Sequence, residues 1–208
     1  HSAGPLGTTE IFTALYFHIM EHKPDDPAWK DRDRLILSNG HIVPVRYVAM
    51  AHAGYFDKKQ MMTLRKFGTE LQGHPELREM KGVETTSGPL GSGSSQAVGI
   101  AYTGLMDGAP WRVYCVMSDG ELEAGQTWEA MLFAGRNNLY NCTFIVDRNN
   151  IQIDGSTEDI MPLEPLKEKF ESFNMNVERC AGNDIEDFVK SIARAQGVSE
   201  KPTVILAD

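Results

Sequence analysis

From Trp111 to the carboxyl end, short apolar runs alternate with longer segments whose apolar residues recur at helical spacing. This rhythm restricts the fold more than any other feature of the chain. Trp111–Met117, Cys142–Val146, Met175–Cys180 and Thr203–Ala207 read as strands. Between them, Trp128, Met131, Leu132, Gly135 and Leu139 line one helix, a second falls near Leu163–Phe173, and a third runs through Ile185, Phe188, Val189 and Ile192. Alternation of this kind predicts an α/β fold with a mostly parallel sheet and helices on both faces. In such sheets, ligands lie in the crevice beyond the carboxyl ends of the strands.

The preceding half is less regular. Phe12, Leu15, Tyr16, Ile19 and Met20 follow helical spacing, so an amphipathic helix is expected after Thr8. A proline-containing loop covers Lys23–Asp31, and the apolar run Leu35-Ile36-Leu37 ends in Ser38-Asn39-Gly40-His41. The Gly-, Ser- and Thr-rich stretch Gly82–Ser95 is expected to be an extended loop. A helix follows, with Val98, Ala101, Tyr102, Leu105 and Met106 on one face. The 208 residues suffice for one domain, 1–208. Both ends read as cut. The chain opens on the loop-like His1-Ser2-Ala3-Gly4-Pro5 and closes on a strand, so flanking residues are expected on either side.

Composition narrows the partners. A formal charge of −9 with no basic stripe argues against nucleic acid or an anionic membrane as partner. No apolar run approaches the length of a membrane span, and the amino end lacks a signal-peptide pattern. Cys115, Cys142 and Cys180 match neither a disulfide framework nor a zinc spacing, which points to a reducing, cytoplasmic setting. The glycosylation-like triplet Asn141-Cys142-Thr143 then reads as chance.

Two polar clusters fall where the sheet rule directs attention: Ser118-Asp119-Gly120-Glu121 after one strand, Asp147-Arg148-Asn149-Asn150 after the next. Asp119 and Asn149 are one strand–helix–strand unit apart and are expected to emerge at the same sheet edge. A carboxylate and an amide carbonyl are hard ligands, suited to Mg2+, with Ca2+ as a substitute. Mg2+ takes few protein ligands and completes its octahedron with phosphate oxygens and water. Gly120 leaves the backbone open to a diphosphate, and the helix that follows can point free N–H groups at it. Singly, such pairs are more often plain turns and loops.

The longer pattern resolves the choice. Asp119-Gly120, Gly125-Gln126, Trp128-Glu129-Ala130, Ala134, Leu139, Asn141, Ile145-Val146-Asp147, Asn149, Gln152 and Asp154-Gly155 together resemble the thiamine-diphosphate motif of the transketolase family, in the version divided between two chains. Arg32-Asp33-Arg34, Leu37-Ser38-Asn39-Gly40-His41, Gly73-His74-Pro75 and Gly88-Pro89-Leu90-Gly91 extend the resemblance across nearly the whole chain, in the family's order. It implies a diphosphate-binding domain in which Asp119, Asn149 and the backbone carbonyl of Ile151 hold Mg2+. His41, Gly88, Pro89, Leu90, Gly120 and Asn149 would contact thiamine diphosphate. His1 and His74 would meet the sugar, with His41 and His74 as the catalytic histidines.

The resemblance also implies what must come from elsewhere. The family's chemistry needs a carboxylic acid facing the cofactor's pyrimidine nitrogen, and that glutamate and the substrate-phosphate arginines belong to a separate domain with no counterpart here. The sequence also stops before a further loop that usually adds another active-site histidine in this family. A second chain carrying pyrimidine-binding and C-terminal domains is therefore expected, in a hetero-tetramer acting on sugar phosphates. The alpha subunit of a 2-oxoacid dehydrogenase shares the diphosphate motif, but the Gly88–Gly91 loop and the His41/His74 pair favour transketolase. A non-catalytic homologue is the remaining alternative.

Two positions depart from the family pattern. Ser118 stands where glycine is usual, and Ala124 where a glutamate commonly joins a proton-sharing network between paired sites, with Glu121 and Glu123 expected to point elsewhere. Arg148 reads either as charge near the diphosphate or as solvated surface. His18 and His22, four apart on the expected helix, read as a solvated helix end, and His52 as structural.

Overall fold

The computed structural model describes residues 2–208; the sugar contact expected of His1 lies outside the described residues. Two short helices open the chain, α1 (Ala3–Gly7) and α2 (Thr9–Ala14), and α2 passes into a π-helical turn at Leu15–Ile19. Strand β1 (Arg34–Leu37) leads through a 3-10 turn at Gly40–Ile42 into α3 (Val43–Ala53). A long irregular excursion, with a 3-10 turn at Lys58–Thr63, precedes α4 (Ser92–Met106). Then come β2 (Val113–Ser118), a 3-10 turn at Asp119–Glu123, α5 (Gly125–Arg136) and β3 (Cys142–Asp147). A small antiparallel hairpin, β4 (Ile151–Gln152) with β5 (Gly155–Ser156), leads to α6 (Thr157–Ile160) and α7 (Leu166–Ser172). Strand β6 (Asn176–Cys180), α8 (Ile185–Gly197) and β7 (Thr203–Ala207) complete the fold.

The five longer strands form one parallel sheet in the order β1-β2-β3-β7-β6. Because strand side chains alternate, the sheet feeds two separate cores. Leu35, Leu37, Tyr114, Val116, Ile145 and Ile205 pack on one face with residues of α2, α3 and α8. Ile36, Cys115, Met117, Phe144, Val146 and Leu206 pack on the other with residues of α4, α5 and α7. The central strands are therefore apolar at nearly every position, as a sheet covered on both sides requires.

Several local expectations are corrected. The helix after Thr8 is α-helical only to Ala14, so His22 falls beyond it, where its Nε2 meets the Tyr16 carbonyl at 2.7 Å and its Nδ1 the Tyr55 hydroxyl at 3.1 Å. Ser92–Ser95, expected in the loop, form the first turn of α4. On α4, Tyr102 and Met106 face solvent, outside the core face held by Val98 and Ala101; on α5, Leu132 does the same. Helices α1 and α3 were not anticipated. In α3, apolar residues surround the axis and most are buried, leaving no polar face to mark a period.

Candidate active site

The parallel pairing of β2 with β3 aligns Ser118 with Asp147, so the turn carrying Asp119 and the loop carrying Asn149 leave the sheet side by side. Asp119 is fully buried at 0% exposure. Its Oδ2 accepts from Arg148 Nη1 at 2.9 Å and from the backbone N–H of Asn150 at 2.7 Å; its Oδ1 accepts from the Gly120 N–H at 2.8 Å. Burial pushes its carboxyl above the usual range, and the Arg148 bond offsets only part of that rise. A carboxylate offers about four lone-pair positions. Three are filled here, and the one left over lies on Oδ1.

Asn149 is exposed and braced at both ends of its amide. Nδ2 donates to Asp147 Oδ2 at 3.0 Å, and Oδ1 accepts the Ile151 N–H at 2.9 Å. An amide oxygen holding one N–H keeps a second lone pair for a cation. Burial raises the Asp147 carboxyl to about 6. Among the described residues, no group of three or more His, Cys, Asp or Glu side chains could hold a metal. A cation here would rest on few protein oxygens and draw the others from phosphate and water, which suits Mg2+. The glycines fit a bound cofactor. A Cβ at Gly88 would meet nothing within 4 Å, and at Gly120 only Gln152 Cβ at 3.4 Å. Crowding within the chain does not account for these glycines, which leave the backbone open at both positions.

Arg148 is neither surface nor free charge. It is 2% exposed and turns inward, with Nη1 also donating to Thr157 Oγ1 at 2.7 Å and Nη2 to Glu158 at 2.8 Å and Glu164 at 3.3 Å. The loop between β3 and α6 is thereby tied to Asp119.

Glu121 is equally central and was not singled out from the sequence. It is 0% exposed, and its Oε1 accepts from Ser38 Oγ and, at 2.6 Å, from the Gly91 N–H. Its Oε2 accepts the Ser118 N–H at 3.0 Å. The Ser118 hydroxyl in turn accepts the Glu121 backbone N–H, closing a capping box at the start of the turn. Ser118 has φ −92° and ψ 159°, extended backbone open to any residue, so the family's glycine is not required there. The spacing Ser118-x-x-Glu121 was the available signal.

The loop Gly88–Gly91 is held from three sides. Gln126 Nε2 donates to the Leu90 carbonyl at 2.8 Å, Ser92 Oγ to the Pro89 carbonyl at 2.7 Å, and Glu121 takes the Gly91 N–H. Gly91 adopts φ +83°, a left-handed conformation, with an added Cβ only 3.0–3.1 Å from Thr127, Ala124 and Gln126.

His41 and His74 are brought together. A Cβ on Gly40 would lie 3.0 Å from the His74 ring, and Ser87 donates to the Leu37 carbonyl to keep the loops apposed. Both residues are exposed, and partial burial with the neighbouring His74 lowers the His41 pKa below its usual value. A cleft of about 640 Å3 opens beside His74, lined by Gln72, Gly73, Glu76, Glu79, Thr86 and Ser87. Its walls are polar and include the carboxylates of Glu76 and Glu79, and Arg65 packs beside them, its Nε 3.1 Å from where a Cβ on Gly73 would sit.

The family model described as transketolase, thiamine diphosphate binding domain, matches residues 1–208. The chain is 41% identical over 206 residues to the 6-deoxy-6-sulfo-D-fructose transketolase subunit SqwG of Clostridium sp. (strain MSTE9), covering 99% of this chain and 75% of that subunit. It is 36% identical over 207 residues to an apulose-4-phosphate transketolase subunit of Phocaeicola vulgatus, covering 100% and 73%. The transketolase from Leishmania mexicana superposes with a TM-score of 0.94 at 32% identity, covering all of this chain and 33% of that one. With its parallel sheet, its loops gathered at one sheet edge and these relatives, the chain belongs to the transketolase family and corresponds to its thiamine-diphosphate-binding domain.

Proposed function

We propose that residues 1–208 form the diphosphate domain of a two-chain transketolase. A second chain would supply the pyrimidine-binding and C-terminal domains, and the pair would transfer a two-carbon ketol unit reversibly between sugar phosphates. The observation that carries this reading is the convergence, at one sheet edge, of buried Asp119, the Asn149–Ile151 loop and the Gly88–Gly91 loop. Two relatives that are themselves named as transketolase subunits, matched over about three quarters of their length, support the divided form.

In this reading Asp119, Asn149 and the Ile151 carbonyl hold Mg2+. Gly120, Asn149, His41 and Gly88–Leu90 hold thiamine diphosphate, which supplies the carbon nucleophile when bound. The described chain's own work is to grip the diphosphate, fix the loop under the rings and present His41 and His74 to the sugar's hydroxyl and carbonyl oxygens, His1 joining them. A hetero-tetramer, two copies of each chain, would place complete sites at chain interfaces. Three free cysteines, all buried, are compatible with a cytoplasmic setting, and among the described residues no helix is long and apolar enough to cross a membrane.

The test is co-purification from the native source followed by a ketol-transfer assay with Mg2+ and cofactor. Turnover is expected from the two-chain assembly and not from this chain by itself. Robust turnover by the isolated chain would overturn the reading.

A further inference from the structure

Glu121 lies outside every role assigned above, yet its carboxylate alone among the described side chains bonds to all three segments that form the cofactor side of the sheet. Ser38, at the end of β1, precedes Asn39-Gly40-His41. Gly91 ends the Gly88–Leu90 loop and caps α4. Ser118 ends β2 immediately before Asp119. The Glu121 backbone carbonyl adds a fourth tie, accepting from Thr127 Oγ1 at 2.9 Å in the first turn of α5.

Among the described residues Glu121 makes no ion pair, so its bonds come from neutral donors only. A fully buried side chain that merely filled space would be better as an apolar residue, because burying a carboxyl without a counter-ion is costly. Acceptors on both oxygens are what three donors from three directions require. Glutamine cannot reproduce the set, since its Nε2 would face either Ser118 N–H or the Gly91 and Ser38 donors.

The diphosphate end is secured differently. Asp119 is held by Arg148, Asn150 and Gly120, none of which passes through the Glu121 side chain. The Asp119 side chain is thus held by groups other than the Glu121 carboxylate, which reaches this end of the site only through the Ser118 N–H.

We propose that Glu121 is a positioning residue that sets the spacing of the His41 and Gly88–Leu90 loops, and thereby the seat for the cofactor's rings, without holding the diphosphate. The proposal rests on the functional reading above. The test uses the full chain co-purified with its partner, and calorimetric titration with two probes: Mg2+ plus thiamine diphosphate, and Mg2+ plus inorganic pyrophosphate. Glu121→Gln is expected to weaken thiamine diphosphate by about tenfold, equivalent to ~1.4 kcal/mol. Pyrophosphate affinity is expected to change by less than roughly threefold, under ~0.7 kcal/mol by the same conversion. Ser38→Ala, which removes one of three donors and leaves the carboxylate two backbone partners, is expected to show the same split at smaller size. It serves as the readout where Glu121→Gln does not fold.

Equal loss of both probes would mean that Glu121 acts through general stability, and unchanged thiamine diphosphate affinity would mean that it positions nothing. Either result overturns the proposal. A wild-type assembly that binds neither probe would instead remove the functional reading on which it stands.

Discussion

Replacing Arg148 with methionine removes a buried guanidinium and leaves its main partner in place. Asp119 would retain the N–H groups of Gly120 and Asn150 but lose the one cation that pairs with it among the described residues, at 0% exposure. Stranding one half of a buried ion pair typically costs about 3–5 kcal/mol. The bonds to Glu158 and Glu164 reach solvent-facing carboxylates and add little. A loss near 4 kcal/mol is a large part of the roughly 5–15 kcal/mol that holds an ordinary domain together. At about 2–4 °C per kcal/mol for a chain of this size, Tm is expected to fall by roughly 8–16 °C. The assay is thermal and urea unfolding of wild type, Arg148→Met, Asp119→Asn and the double variant, without cofactor. Most of the cost should be recovered in the double variant, because the stranded charge is gone. Calorimetry with Mg2+ alone adds a second reading, since a carboxylate freed of its guanidinium should take the ion more tightly than wild type. A destabilisation under ~1 kcal/mol, or a double variant no better than the sum of the singles, would refute the reasoning.

Gly91→Ala should destabilise by about 1–2 kcal/mol in urea, because φ +83° places a Cβ against the following carbonyl and 3.0–3.1 Å from three side chains. Wild-type stability would show that the loop relaxes freely. Ser118→Gly is expected to stay within a few tenths of a kcal/mol of wild type and Ser118→Ala to lose about 1 kcal/mol, the order typical of an N-cap. The reverse order in unfolding midpoints would dismiss the capping box. The His41 ring, observed by NMR titration, should titrate below the ordinary histidine value of 6.5. With a folded pKa depressed in this way, the unfolded chain binds more protons between the two values, so this ring's contribution to stability is full above 6.5 and lost as pH falls through that window. A midpoint at or above 6.5 would contradict the burial invoked for it.

Much of the sheet was legible because β2, β3 and β7 are apolar at nearly every position, as strands buried on both faces are. The same property hid α3. Its buried Val43, Val45, Tyr47, Ala49 and Ala51 lie two apart, as in a strand, and the exposed Val48 is itself apolar, so no helical rhythm stands out. Its ends were still marked, by Pro44 in the first turn and Gly54 at φ +101° closing the last. Helix α1 was hidden by composition, since Gly4, Pro5 and Gly7 read as loop. At the site, Asp119 and Asn149 could be paired in advance because their placement follows from strand order. Arg148 could not, because Thr157, Glu158 and Glu164 lie beyond the reach of local pattern and only tertiary folding turns a polar Asp-Arg-Asn-Asn run inward. Glu121 was within reach through its spacing from Ser118, but the capping signal was overshadowed by the metal-binding reading of its neighbour.

The alternating side chains of the sheet divide the molecule into two mechanically distinct compartments. Trimming Leu37 in one and Val146 in the other should cost close to the simple total of the single changes, since the two side chains belong to separate cores with the backbone layer between them. Such a partition lets a change in one helical layer be absorbed on its own side of the sheet, while the strands hold the tips in place. The loops that carry Asp119 and Asn149 spring from those tips and rest on the thin wall beneath them rather than on the layers at either side.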